Sequence, residues 1–398
     1  FTFLSLSAFG LSIASTVDKS NLYAMGGSFF LGYLLSTPVL WARPQIFSFL
    51  NFGLFFFLLH RFKQSEKIKY IVPIPFLMIF WVNMHGSFIL GIGLIGIFLI
   101  GNIIEKSILK YKSALKGQRL FSKYALVLGC LLVISFLVSL INPNGSKIIL
   151  YPFQTINDSS IQSYIQEWAS PNFHEPTWFP LVVMFIALIG FSLRSNKTYS
   201  ITEILLIIVF GYLALSAVKH VMYFAIVSIP VLSDLISEAF PYKKKVQKKT
   251  IPTLVISVIS FSIMLIIAAY KIIHLSQKQS SLNEEKLPIN AVSYIDKEGI
   301  KGKIFNSYNW GGYLIWRLFP ENKVYIDGRC DMYGSSFIHR YVDISNAKPG
   351  WQNALSDDGI DYVLIEPNTY LAFALNSSSE WTIIYSDHVS TLYKKIKP

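Results

Sequence analysis

The chain has 398 residues, 53% of them hydrophobic and only 15% charged, with a mean hydropathy of +0.46 and a formal net charge of +12. Soluble domains carry about 25% charged residues, so this balance excludes an ordinary soluble enzyme and indicates a polytopic membrane protein. The positive charge is no nucleic-acid signal in such a chain, because Lys and Arg concentrate in cytoplasmic loops, and two cysteines, Cys130 and Cys330, make neither a disulfide framework nor a metal site.

Residue one is Phe inside an apolar run, which predicts that the chain begins part-way through a longer protein. Apolar segments then run at 1–16, 21–40, 44–60, 70–84, 86–104, 124–142, 178–194, 201–217, 221–239 and 251–274, about ten membrane segments in all. A spanning helix needs roughly 20 residues, so 70–84 is marginal, and Pro73 and Pro75 kink its start. The basic loops Arg61–Lys69, Lys106–Lys123, Arg194–Lys197 and Lys243–Lys249 all fall on one side when these segments are numbered through, which makes that side cytoplasmic. The membrane domain is thus 1–277, and 278–398 forms an extracytoplasmic domain.

The same numbering gathers the polar residues of the membrane half on the outer face. They are Arg43-Pro44-Gln45, Trp81 to Ser87 with His85, the long excursion Asn142–Trp178 with Glu167-Trp168, and Lys219-His220. Polar groups near the hydrocarbon are costly and usually face a cavity or partner. Structural roles compete at each position: Arg43 snorkelling to headgroups, His85 capping a helical hairpin, Lys219 and His220 anchoring at the interface, and Glu167 in an ion pair.

From Asn290 the pattern changes to a small mixed α/β domain. Helices are predicted at Ala291–Glu298, Ser335–Tyr341, Trp351–Asp357 and Tyr370–Asn376, and Gly312–Leu318 reads as a packed segment between the first two strands. Strands are predicted at Lys303–Tyr308, Lys323–Asp327, Tyr362–Glu366, Thr382–Ser386 and Ser390–Lys394, the last two forming a hairpin. Within it Gly311-Gly312 permits a close backbone approach, and Asp327-Gly328-Arg329 sets a carboxylate and a guanidinium about a turn. There is no Gly-rich phosphate loop, no Ser-His-Asp arrangement and no His/Cys metal pattern in this domain.

As a set, Arg43-Pro44-Gln45, Trp81-Val82-Asn83-Met84-His85-Gly86, Asn142-Pro143-Asn144-Gly145, Tyr164 to Trp168, Lys219-His220 and the stretch through Asp327-Gly328-Arg329 and Tyr333-Gly334 resemble a bacterial family of multi-pass proteins grouped with the GT-C glycosyltransferases. Where that family carries Arg-His, this chain has Lys219-His220, which keeps the charge and loses a bidentate fork. A looser similarity joins Tyr308-Asn309-Trp310-Gly311-Gly312-Tyr313 to the Trp-Trp-Asp-Tyr-Gly motif of oligosaccharyltransferase catalytic subunits, without its acid. The resemblance implies transfer of a sugar from a polyprenyl-phosphate donor to a saccharide or protein acceptor at the outer face of the cytoplasmic membrane.

It also implies roles. Arg43, His85, Lys219 and His220 would bind the lipid phosphate as its charge grows. The usual catalytic acid of such enzymes lies in a first external loop upstream of this chain, leaving Glu167 as the substitute. Asp327 and Arg329 would hold the acceptor or dock the domain, with Trp310 giving a sugar-stacking face. Some members use a divalent metal, for which this sequence shows no ligand set. A transporter of lipid-linked saccharides and a non-catalytic scaffold are the alternatives, though no repeated halves of the transporter kind are visible.

Overall fold

The computed structural model describes residues 2–15, 21–40, 44–111, 122–150, 166–196, 198–241, 285–329 and 333–396, in two compact units, Phe1–Lys243 and Lys244–Pro398. The first unit is helical: α1 (Thr2–Ala14), α2 (Leu22–Ser36), α3 (Gln45–Ser65), α4 (Pro73–Val82), α5 (Ile89–Tyr111), α6 (Lys123–Val138), α7 (Phe179–Arg194), α8 (Ile201–Ser216) and α9 (Val221–Ala239).

The expected ten membrane segments are not what the structure shows. Among the described residues, four helical stretches are long and apolar enough to cross a membrane: Gln45–Ser65, Gly86–Leu109, Pro176–Arg194 and Val218–Ala239. The other apolar runs end early for local reasons. Thr37-Pro38-Val39 turns into a 3-10 helix after α2, Pro73 and Pro75 hold α4 to 10 residues, and Asn142-Pro143 follows α6. At 1.5 Å per residue, helices of 15 or 16 residues such as α2, α6 and α8 fall short of a hydrocarbon core about 30 Å thick. Apolar content alone overcounts spans because it does not see where a helix stops. The run at 251–274 and the basic cluster Lys243–Lys249 lie outside the described residues.

Helix α9 is the centre of this unit, buried without a break from Val221 to Pro230. Pro230 has no N–H, so the Ile226 carbonyl one turn back loses its helical donor. The Ser12 hydroxyl from α1 supplies the replacement at 2.6 Å. In an apolar surround an orphaned carbonyl is expensive. Ser12→Ala should therefore lower stability by about 1–3 kcal/mol. Thermal unfolding in detergent micelles checks this, and an unchanged midpoint would mean that Ile226 finds another donor.

Hydrogen bonds between helix termini sort them into two ends of the bundle. At one end Arg61 donates to the Ala14 carbonyl at 3.0 Å and Lys63 to Ser200 Oγ at 2.6 Å. Glu238 there accepts from the Ser195 hydroxyl and the Asn196 N–H, and the Asn21 N–H donates to Ser237 Oγ. At the opposite end Gln45 donates to the Lys219 carbonyl at 3.3 Å, Asn83 to the Ile141 carbonyl at 2.8 Å, and the Val218 N–H to the Ala169 carbonyl at 3.0 Å. Arg61, Lys63, Lys67, Lys69, Lys106, Lys123 and Arg194 belong to the first end, whereas the second carries Lys147 and Lys219 among the described residues. This is a multi-span membrane protein with a strong charge difference between its two ends, followed by a distinct C-terminal α/β unit.

That α/β unit is a five-stranded sheet between helices. Its elements are α10 (Ile289–Lys297), β1 (Gly302–Asn306), α11 (Gly311–Leu318), β2 (Asn322–Val324), α12 (Ser335–Ser345), α13 (Trp351–Asp357), β3 (Tyr362–Ile365), α14 (Tyr370–Asn376), β4 (Trp381–Ser386) and β5 (Thr391–Lys395). The strand order is β2-β1-β3-β5-β4, with β1, β2 and β3 parallel and β5 antiparallel to both of its neighbours. Alternation along the strands divides the core. Ile304, Leu364 and Leu392 face α10 and α11, while Phe305, Val363, Ile365 and Tyr393 face α12, α13 and α14. The predicted strands are thus present, though β1 and β2 stop at Asn306 and Val324, short of the polar residues that follow them.

Candidate functional site at the less basic end of the helical unit

Lys219 and His220 sit in a 3-10 turn, Val218–His220, between α8 and α9. A second short turn, Gln166–Trp168, docks against it through the Val218 N–H bond to Ala169. The docking sets the Lys219 ammonium over the Trp168 ring, 2.6 Å from its centroid. The His220 ring meets Trp168 edge-on at 6.4 Å and Tyr223 at 6.4 Å. Its Nδ1 donates to the Leu213 carbonyl at 3.3 Å, which leaves Nε2 as the acceptor of the neutral ring. Gln45, at the first turn of α3, closes the group through its bond to the Lys219 carbonyl.

His85 is tied in less directly. Its Nδ1 accepts from the Ser87 N–H at 3.2 Å and lies 2.9 Å from Ser87 Oγ, so the ring caps the 3-10 turn Gly86–Phe88. Capping is the role that competes with phosphate binding at this position. Ser87 in turn lies beside the Tyr223 hydroxyl, as does Ser48, whose Oγ accepts from Trp81 Nε1 at 3.0 Å. Tyr223 thus stands between the His85 turn and the His220 turn. Its ring is locked there by edge-on packing against Phe49 at 5.2 Å and Phe52 at 4.9 Å.

Gln45, His85, Glu167, Trp168, Lys219 and His220 are all half-buried, at the boundary between core and surface. Three elements that are far apart in sequence, at 45, 166–168 and 218–220, therefore meet directly, and 85–87 reaches them through Tyr223. Arg43 and Tyr164 lie outside the described residues. Tyr223 was not among the residues singled out from the sequence. Its position three residues after His220, on the same helix face, was the available signal.

No protein-family model matches the chain, and no curated protein matches it in sequence. The chemistry is accordingly read from the residues themselves. A primary ammonium over an indole and an imidazole whose Nε2 is the acceptor nitrogen bring a cation and a proton acceptor together, and a glutamate is next in sequence to that indole. Among the described residues no group of three His, Cys, Asp or Glu side chains is placed to hold a metal ion.

The predicted residues of the α/β unit form a separate cluster. Asp327 is buried and accepts from Arg329 three times: from its backbone N–H at 2.9 Å, Nε at 2.8 Å and Nη2 at 2.6 Å. The Tyr333 hydroxyl adds a fourth bond at 2.7 Å. Asp327 and Arg329 are therefore brought together, in the structural pairing that the turn sequence allows. Trp310 differs from expectation. It is 2% exposed, packs with Leu314 and Ile304, and donates from Nε1 to the Lys286 carbonyl at 2.9 Å. With its ring in the core it has no face for a sugar, because the 3-10 turn Tyr308–Trp310 rolls it inward as β1 ends.

Proposed function

We propose that the protein is a membrane glycosyltransferase of the GT-C type, taking a sugar from a polyprenyl-phosphate donor to a saccharide or protein acceptor on the extracytoplasmic side of the cytoplasmic membrane. The observation that carries this reading is the convergence of Lys219, His220, Trp168 and Gln45 at one end of the helical unit. The charge difference between the two ends supports the orientation. Lys and Arg concentrate in cytoplasmic loops, so in this reading the basic end faces the cytoplasm and the cluster faces outward.

In this reaction the bond from the sugar's anomeric carbon to the donor phosphate oxygen breaks, and the acceptor oxygen takes its place. Negative charge grows on the departing lipid phosphate, and Lys219 is the cation set to receive it. Trp168 holds that ammonium over an apolar surface, where it is less hydrated than in bulk water. Glu167 is the carboxylate assigned to take the acceptor proton, and His220 Nε2 is a second proton acceptor in the cluster.

Transfer from radiolabelled polyprenyl-phosphate sugars in membranes tests the assignment. Lys219→Ala should lower the rate by about ten- to a hundredfold, with Lys219→Arg recovering part of the loss because it restores the charge. Wild-type membranes that transfer sugar no better than the Lys219→Ala variant would remove this residue, and the cluster with it, from the mechanism.

A further inference from the structure

Helix α11 of the α/β unit carries a surface that packing within the unit does not account for. Its inward side is ordinary: Gly311, Leu314 and Leu318 are buried, the leucines among Ile304, Leu364 and Leu392 of the sheet. Its outward side lacks the polar character that a solvated helix face normally has. Trp316 is 76% exposed, and Phe319, just past the helix end, is 66% exposed. Tyr313, one turn before Trp316, is half-buried, and its ring centroid lies 6.1 Å from that of the indole. Clustered exposed aromatics of this kind mark an interaction surface.

A guanidinium is built into the same surface. Arg317 Cζ lies 5.9 Å from the centre of the Trp316 ring. Its Nη1 donates to the Tyr313 hydroxyl at 3.4 Å, and its Nη2 donates to the Asp296 carboxylate of α10 at 3.2 Å. The group is thereby held beside the rings. Neither bond uses Nε, and each Nη carries a second hydrogen, so donors remain for an acceptor outside the unit.

This combination selects a lipid surface as the partner. Trp and Tyr rings settle at the headgroup level of a bilayer, and an Arg beside them reaches the phosphates. The unit belongs to a multi-span membrane protein, and residues 242–284 are all that joins it to the helical unit. Tethering of that length raises the effective concentration of the bilayer surface, so a patch of three rings suffices. A second exposed pair, Tyr370 at 73% and Phe373 at 60%, lies on α14, across the sheet from α11. A flat bilayer reaches only one of these faces. Helix α14 has no Trp, Lys or Arg, whereas α11 has the indole and the guanidinium together. We propose that the surface formed by Tyr313, Trp316 and Phe319 seats the α/β unit on the headgroup region of the membrane, with Arg317 meeting lipid phosphates. The proposal depends neither on the transferase reading nor on the side of the membrane that the unit occupies.

The test uses the full chain in phosphatidylcholine vesicles, with brominated acyl chains in one set and with iodide on both sides in another. The signal of Trp316 is the difference in emission between the wild type and Trp316→Phe. It should be quenched by the brominated lipid and shielded from iodide. Phe319→Ser, at an exposed position, should lower the quenching by brominated lipid at least about twofold, since docking scales with the apolar area inserted. Gly312→Glu should lower it as well. A side chain there meets open space, and the new carboxylate would stand one turn from Trp316 in the first turn of α11, where the fold tolerates it. Phe373→Ser, across the sheet, should leave the quenching unchanged. A Trp316 signal open to iodide and untouched by brominated lipid would overturn the proposal. So would a signal shielded from both, which would put protein over the patch, or equal quenching in the wild type, Phe319→Ser and Gly312→Glu.

Discussion

Gly311→Ala is expected to unfold the α/β unit or to lower its stability by about 3 kcal/mol or more. A Cβ at this position would overlap the Ile326 carbonyl oxygen and lie 2.6 Å from Asp327 Cα. Both are backbone atoms, so no change of rotamer relieves the clash. Neither side of the contact is free to retreat. Trp310 is anchored to the Lys286 carbonyl and Leu314 is buried in the core on one side, while the Asn306 amide grips Ile326 on the other. Gly312, one residue on, has nothing within 4 Å of the place a Cβ would take and lies in the first turn of α11. Gly312→Ala should accordingly be neutral or stabilising by about 0.5–1 kcal/mol through helix propensity. Limited proteolysis and thermal unfolding of the two variants give the comparison, and similar behaviour of both would refute the close approach.

Asp327→Ala should cost about 2–3 kcal/mol, because the buried carboxylate satisfies Arg329 and the Tyr333 hydroxyl together. The same cluster predicts a pH dependence at both extremes. Hydrogen bonds from the Arg329 side chain, opposed by burial and helped by Tyr333, hold the Asp327 carboxyl at about 2, below its usual 3.8. A depressed carboxylate contributes its stability above the unfolded value, near 3.8, and loses it as pH falls through about 2. The contribution is about 2 kcal/mol at neutral pH. Burial, followed by the hydrogen bond to Asp327, pushes Tyr333 up to about 12. A raised phenol contributes below its unfolded value near 10, and that contribution is lost as pH rises through about 12. Acid and alkaline unfolding of the wild type, Asp327→Ala and Tyr333→Phe should show the acid loss in the wild type, its absence in Asp327→Ala, and removal of the alkaline loss in Tyr333→Phe. An acid transition identical in wild type and Asp327→Ala would leave the carboxylate without a part in stability.

The α/β unit was largely legible before any coordinates. Strand alternation at Ile304–Phe305 and Val363–Leu364–Ile365, and the apolar stripe of Ala291, Val292 and Ile295, are local patterns that need no partner to be recognised. The burial of Trp310 was not legible, because an aromatic next to two glycines fits a ligand platform and a core plug equally well in sequence. Which it is depends on the direction in which the chain turns after Asn306. The membrane half shows the same division. Apolar runs announce a membrane protein, yet α4 and α6 end where Asn83 and Ser139 terminate them, so length is decided by residues that hydropathy averages away.

By itself the sequence determined the membrane class and the strands of the C-terminal unit, since each follows from composition or short-range period. Tertiary structure alone decided that Gln45, Trp168 and Lys219 meet, that Tyr223 stands between two histidine turns, and that Ser307 and Glu366 are hydrogen-bonded. The reason is physical: a hydrogen bond or a ring contact depends on separation in space over a few ångströms, and only the packing of helices around α9 and of helices on both faces of the sheet brings residues that are distant in the chain to that separation.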